Sequence, residues 1–202
     1  ASCYGYKNGQ IVIEPSGGTA PYYFRWDDSL YLLNNQSEIL GQLYKGDYRI
    51  VVTDANDCRK AKWVTVTEPD SMMLTYLTDK VSCYEGSDGA IDISVTGGTS
   101  PYIFNWSNGA SSEDIDQLEA GIYNIEVFDA QDCKLEENIE VAQYPEIIVD
   151  YVTTIISCSD QSDGSILLDV SGGAGNYTYK WSSGETSKNI NEKEAGYYTV
   201  TV

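Results

Sequence analysis

The chain has 202 residues, 31 of them acidic and 12 basic, with no histidine and a net charge of −19. That balance excludes a nucleic-acid binder, which needs a basic footprint, and works against anionic membrane surfaces. No apolar run approaches the roughly 18 residues of a membrane span, so no membrane insertion of this segment is expected. No leader peptide is visible, as for a fragment or a mature segment.

In chain order, the first segment reads "SCYGYKNGQIVIEPSGGTAPYYFRW" from Ser2. Its pattern returns ungapped as "SCYEGSDGAIDISVTGGTSPYIFNW" from Ser82 and "SCSDQSDGSILLDVSGGAGNYTYKW" from Ser157. A second block follows each time: "GDYRIVVTDANDC", "GIYNIEVFDAQDC" and "GYYTVTV". The Gly-Gly pairs stand 80 and then 75 residues apart, so the first copy carries five extra residues, between Trp26 and Tyr48. Repeats of this kind fix the architecture before any single element does. They divide the chain into residues 1–69, 70–145 and 146–202, the first expected without its leading strand and the third without its last.

Within the middle copy, "MLTYLTDKV" reads as an edge strand. "AIDISVTGG" alternates Ile91, Ile93 and Val95 with polar residues, the mark of a strand with one buried face. After a Gly-Gly-Thr-Ser-Pro turn comes "YIFNW". "SSEDIDQLEAG" is too broken for a helix and reads as a short strand and a corner. "IYNIEVFD" puts Tyr123, Ile125 and Val127 on one face, and "NIEVAQ" is a further edge. Six or seven short strands per copy predict an all-β fold of tandem immunoglobulin-like antiparallel β-sandwiches, of PKD or fibronectin-III kind. Trp26, Trp106 and Trp181 are the expected core tryptophans. Tyr48, Tyr123 and Tyr198 fit a corner in which the phenol bonds the backbone as the chain changes sheets. Lys193 replaces the leucine found at Leu43 and Leu118, so the third corner is expected to be looser. Linkers with single prolines, Pro69 and Pro145, favour an elongated, semi-rigid rod.

Five cysteines occupy an early position (Cys3, Cys83, Cys158) and a late one (Cys58, Cys133). Small units with cysteines at fixed spacing point to disulfides and an oxidising, extracellular setting. Two pairings are open. Pairing within a copy joins Cys3 to Cys58 and Cys83 to Cys133, closing loops of about 50 residues that contribute about 4 kcal/mol each on the chain-entropy model. Against it, the first and last turns fall at opposite ends of a sandwich, over about 20 Å apart, whereas a disulfide holds its Cα atoms within about 7 Å. The first turn of one copy instead faces the last turn of the next, which gives Cys3–Cys133.

Acidic turns hold Asp54, Asp57, Asp88, Asp129, Asp132 and Asp163 near the expected junctions. Several such carboxylates together suit Ca²⁺, yet Asp and Gly are also ordinary turn residues. No cofactor is called for, and calcium is the one ion the pattern admits. The tip "DDSLYLLNN" exposes Tyr31 as a candidate contact. No histidine and no nucleophile elbow are present, so the chain is not read as an enzyme.

The ordered set "VSC", Gly-Gly-x-x-Pro-Tyr, Trp-Ser-x-Gly, Ala-Gly-x-Tyr and a closing Asp-x-x-x-Cys, best seen from Val81 to Cys133, resembles the repeats of the SprB gliding-motility adhesins of Bacteroidota. Asp57 and Asp132 stand where the family has Gly, which asks both turns to accept a left-handed aspartate. The resemblance implies a very long protein exported by the type IX system to the bacterial cell surface. In that setting Ser29 and Ser71, each in an Asp-Ser-apolar triplet, resemble O-glycosylation sites. The expected function is a structural stalk of a secreted adhesin or filament, with adjacent repeats as its main partners and surface polysaccharide or self-association as further ones. The alternative is a carbohydrate-binding module of a secreted enzyme.

Overall fold

The structure, a computed structural model, describes residues 1–28, 32–33, 37–158 and 161–202. All regular structure among them is β, as the two-residue apolar period requires. Repeat one contains β1 (Gly9–Val12), β2 (Tyr23–Asp28), β3 (Leu32–Leu33), β4 (Ile39–Leu43), β5 (Gly46–Thr53) and β6 (Arg59–Val66). They form a β1-β4 pair and a β3-β2-β5-β6 sheet. Repeat two contains β7 (Met73–Asp79), β8 (Gly89–Thr96), β9 (Ile103–Trp106), β10 (Ile115–Leu118), β11 (Gly121–Phe128) and β12 (Lys134–Val141). Its sheets run β10-β8-β7 and β12-β11-β9. Repeat three contains β13 (Ile148–Thr153), β14 (Gly164–Ser171), β15 (Lys180–Trp181), β16 (Ile190–Lys193) and β17 (Val200–Thr201), as β13-β14-β16 and β15-β17. No helix among the described residues is long and apolar enough to cross a membrane.

The chain packs as two compact units, and the division between them passes through repeat two. The first comprises Ala1–Tyr76, Ile93–Glu113 and Tyr123–Ile139. Its repeat-one core gathers Ile11, Trp26, Leu40, Leu43, Tyr48, Ile50 and Val66, and it also buries Ile93, Trp106, Ile125, Val127 and Ile139. The second comprises Leu77–Asp92, Asp114–Ile122 and Glu140–Val202. There Leu168, Trp181 and Ile190 form the repeat-three core, and Val81, Ile91, Ile115, Leu118 and Val141 are buried.

Two kinds of polar contact recur in register with these cores. A buried tryptophan must find a partner for its indole N–H. Trp26, Trp106 and Trp181 donate it to the carbonyls of Ser37, Ser112 and Ser187 at 2.8, 3.0 and 2.9 Å. The separation is six residues in repeats two and three and eleven in repeat one, which places the five extra residues between Trp26 and Ser37. Part of that insertion is β3, paired to β2 through Trp26 and Leu33. Its tip, including Ser29 and Tyr31, lies outside the described residues. The tyrosine corner closes in repeats one and three, where Tyr48 and Tyr198 donate to the carbonyls of Tyr44 and Glu194 at 3.0 and 3.1 Å. The third corner keeps its hydrogen bond around a Tyr198 that is half-buried where Tyr48 is buried, and Lys193, in the leucine's place, turns its ammonium onto Glu185. That ammonium holds the Glu185 carboxyl down to about 2. Tyr123 sits half-buried at the matching position.

Two backbone devices repeat as well. Gln42, Gln117 and Glu192 all take left-handed φ, near 59°, 56° and 57°. Each accompanies a register shift where β4, β10 or β16 pairs with its neighbour, a β-bulge that bends the short strand. The Gly-Gly pairs also take positive φ in all three copies. In repeats two and three a second constraint is added: a Cβ on Gly97 or Gly172 would collide with the carbonyl of Ser71 or Glu146. In repeat one, nothing lies within 4 Å of the Cβ position at Gly17. Gly17→Ala therefore meets only the left-handed backbone cost of about 1–2 kcal/mol. Gly172→Ala should cost more, by displacing the strand ahead of it. Denaturant unfolding of the two variants should show this order, and equal costs would refute the steric reading.

Candidate functional site

The chemistry-bearing residues of this chain are concentrated at its turns. At the end of repeat two, "DAQDC" folds back on itself because Asp129 is buried and ionised. Its Oδ1 accepts the amides of Gln131 and Cys133 at 2.8 and 2.9 Å, and its Oδ2 accepts that of Thr99 at 2.9 Å. Asp132 completes the turn with φ near 58°, the left-handed aspartate that the sequence demands. Repeat one builds the same turn. Asp54 accepts Asn56 and Cys58 at 2.9 Å each and Thr19 at 3.1 Å, and Asp57 has φ near 61°.

Cys133, held by this turn, is disulfide-bonded to Cys3 of repeat one, with Cα atoms 5.7 Å apart and 130 positions between them in sequence. Both are buried. The bond is the head-to-tail pairing, and pairing within a copy is not formed. Cys58, Cys83 and Cys158 are free and exposed. On the chain-entropy model a loop this long contributes about 5 kcal/mol. Around Cys3 and Cys133 lies a shallow cleft of about 220 Å³ that reaches Pro69 and Asp70, the linker between the copies. Ser71 is exposed beside it.

The first turns carry the other acidic residues. Asp88 and Asp163 accept the amides of Ser82 and Ser157 at 2.9 and 3.1 Å, and Asn8 does the same for Ser2 at 2.9 Å. The aspartates named from sequence as calcium ligands are thus divided among separate turns, and four of the six bind backbone N–H groups there. Among the described residues, no three His, Cys, Asp or Glu side chains gather as metal ligands would.

One recurring latch escaped the sequence reading. Tyr22, Tyr102 and Tyr177 donate their hydroxyls to Gly17, Gly97 and Gly172 at 2.6, 2.5 and 2.5 Å. They close the Gly-Gly loop that Asp54 and Asp129 grip from the other side through Thr19 and Thr99. The signal was the fixed five-residue spacing from glycine to tyrosine in all three copies.

The SprB repeat family profile matches residues 1–30, 75–111 and 151–186, together about half of the chain. The chain belongs to the SprB repeat family. The matched segments are the early-cysteine half of each SprB repeat, and the Asp latch and late cysteine lie outside them. Among curated proteins none matches. Among solved structures, the three N-terminal domains of the bacteriophage RB49 outer capsid protein Hoc align at 15% identity with TM-score 0.50, over 89% of this chain and 72% of that one. The eight N-terminal Ig domains of Down syndrome cell adhesion molecule align at 14% identity with TM-score 0.34, over 96% of this chain and 27% of that one. With the sheets described above, the Hoc likeness supports one conclusion about fold: these SprB repeats are tandem immunoglobulin-like β-sandwiches.

Both latch carboxyls are held below the ordinary aspartate value. At Asp54 the Cys58 amide contributes most, followed by that of Thr19. At Asp129 burial pushes the carboxyl up, and the amides of Cys133, Gln131 and Thr99 outweigh it. A folded pKa below the unfolded one gives stability that is complete above about pH 4, the unfolded value, and is lost as pH falls through the folded values. Acid unfolding followed by circular dichroism should therefore show stability declining below about pH 4. Asp129→Asn should be less stable than wild type at neutral pH and show a smaller decline. A decline of unchanged size would show that Asp129 is not a determinant.

Proposed function

We propose that this chain is a load-bearing stalk segment of a secreted bacterial surface adhesin, one that extends and stiffens the protein outside the cell. The observation that carries the reading is the disulfide between the first turn of repeat one and the last turn of repeat two. A bond of that kind ties neighbouring repeats rather than tightening one of them. Membership of the SprB repeat family supports a place at the cell surface, where disulfides persist. The net charge of −19 keeps neighbouring copies apart in solution. The titratable groups with displaced pKa values are spent on turns and ion pairs, which fits a structural role better than catalysis.

Force applied to the two ends tests this directly. In the oxidised chain the 130-residue loop is bypassed by the Cys3–Cys133 bond. Reductant should add about 45 nm of unfolded contour length, at roughly 3.5 Å per residue, in single-molecule pulling. Cys133→Ser should give the long value without reductant. Equal lengths with and without reductant would show that no bond shields the segment and would remove the mechanical reading.

A further inference from the structure

The bonded joint between repeats one and two has a counterpart of the same build at the exposed end of repeat one. At the joint, Cys3, Tyr4 and Tyr6 share a cleft with Gly98, Asp129, Cys133 and Lys134 of repeat two. The repeat-one equivalents of those four residues, Gly18, Asp54, Cys58 and Arg59, line a depression of about 460 Å³. The two faces match in detail. A Cβ on Gly18 would meet Asp54 Oδ2 at 2.9 Å, and one on Gly98 would meet Asp129 Oδ2 at the same 2.9 Å. Each carboxylate also accepts the amide of its own cysteine at 2.9 Å. They differ in cover. Met72 lies against Gly98, and Cys133 is buried and bonded to Cys3. At Gly18 the three nearest atoms all belong to Asp54, and Cys58 is an exposed thiol.

Repeat two shows what such a face holds: a first-turn cysteine from the repeat ahead of it. Cys158 offers one. It is exposed, and its carbonyl accepts the Gln161 amide at 3.1 Å, as the Cys3 carbonyl accepts that of Tyr6 at 3.2 Å. The observed bond steps from the first turn of one repeat to the last turn of the next. By that step Cys83 belongs with repeat three, and Cys58 and Cys158 are left to partners outside these 202 residues. A repeat three set ahead of the repeat one of another copy makes the same step again. Charge agrees with this order. The turn bonded to repeat two, residues 2–8, has one lysine and no acidic residue, and the strand after Cys133 opens Lys-Leu-Glu-Glu. In the second pair both signs change. Residues 157–163 carry two aspartates and no basic residue, and the strand after Cys58 opens Arg-Lys-Ala-Lys. Arg59, Lys60 and Lys62 line the depression with Glu14 and with Asp54, whose carboxylate is engaged by three amides.

We infer that the Cys58 face of repeat one is a covalent docking site for a second copy of this chain, whose Cys158 bonds there as Cys3 bonds to repeat two. The Cys58 thiolate attacks one sulfur of a small disulfide, here oxidised glutathione, and releases one glutathione thiol. The Cys158 thiolate then displaces the second, so two protein thiols become one disulfide and one glutathione disulfide becomes two thiols. Each copy carries both a Cys58 face and a Cys158 turn. The contact is therefore head-to-tail, and it builds strings or rings rather than a symmetric pair. The site follows from the Cys3–Cys133 joint and holds whether or not the chain bears load.

Non-reducing gels of the whole chain, its Cys3–Cys133 bond formed, after incubation with oxidised glutathione test it. Wild type should give a ladder of dimers, trimers and longer strings that reductant collapses to monomer. Cys83→Ser should give the same ladder. Cys58→Ser and Cys158→Ser should each stay monomeric alone. Mixed together they should stop at the dimer, since one supplies only Cys158 and the other only Cys58. Peptide mapping of that dimer should join Cys58 to Cys158. Wild type that stays monomeric, a ladder that needs Cys83, dimers formed as readily by either single variant alone, or a dimer mapped to another pair of cysteines would overturn the site.

Discussion

A buried carboxylate that accepts three backbone N–H groups is the constraint on which the covalent join depends. Asp129 fixes the amide of Cys133 and, through Thr99, the Gly-Gly loop on the neighbouring stretch of chain. A free turn at this place would let the thiol wander, and closing a loop of 130 positions against such freedom is slow and unfavourable. With the turn fixed, the sulfur is presented where Cys3 arrives. Burial costs the carboxylate its water, and the three amides return that solvation in oriented form, so the ionised state is kept at neutral pH.

The same economy runs through the other turns. Tyrosine hydroxyls close the Gly-Gly loops, serine carbonyls cap the core tryptophans, and Asp88, Asp163 and Asn8 tie the first turns. Each is a local solution to one problem, a small sandwich with little interior to spare for unsatisfied polar groups. Because every copy uses the same solutions at the same positions, the rest of the surface is free to vary. Repeat two spends that freedom on ion pairs of Lys134 with Glu126 and Glu136. Repeat one spends it on the basic start of β6, and on a five-residue insertion that leaves the Trp26 contact to Ser37 intact.

The strand pattern, the repeat itself, the buried tryptophans and the left-handed Asp57 and Asp132 were all legible in the sequence. They are local or periodic properties, and three copies in one chain act as their own alignment. The bulges at Gln42, Gln117 and Glu192 were not legible, since glutamine and glutamate carry no left-handed preference and only strand pairing forces the conformation. The ion pair of Lys193 with Glu185, eight residues away, was not legible for a related reason: only the folded chain brings the two side chains together.

Sequence alone determined that this is a repeated, acidic, all-β chain with cysteines at two fixed places, because composition, period and spacing depend only on the order of residues. It left the cysteine pairing open and treated the acidic turns as either ion ligands or ordinary turns. Tertiary structure decided the pairing, and it showed which backbone amides four of the acidic side chains accept. Which thiols meet depends on which ends of two sandwiches face one another, and what a carboxylate does depends on which amides point at it. Those are facts of three-dimensional approach, and no linear spacing contains them.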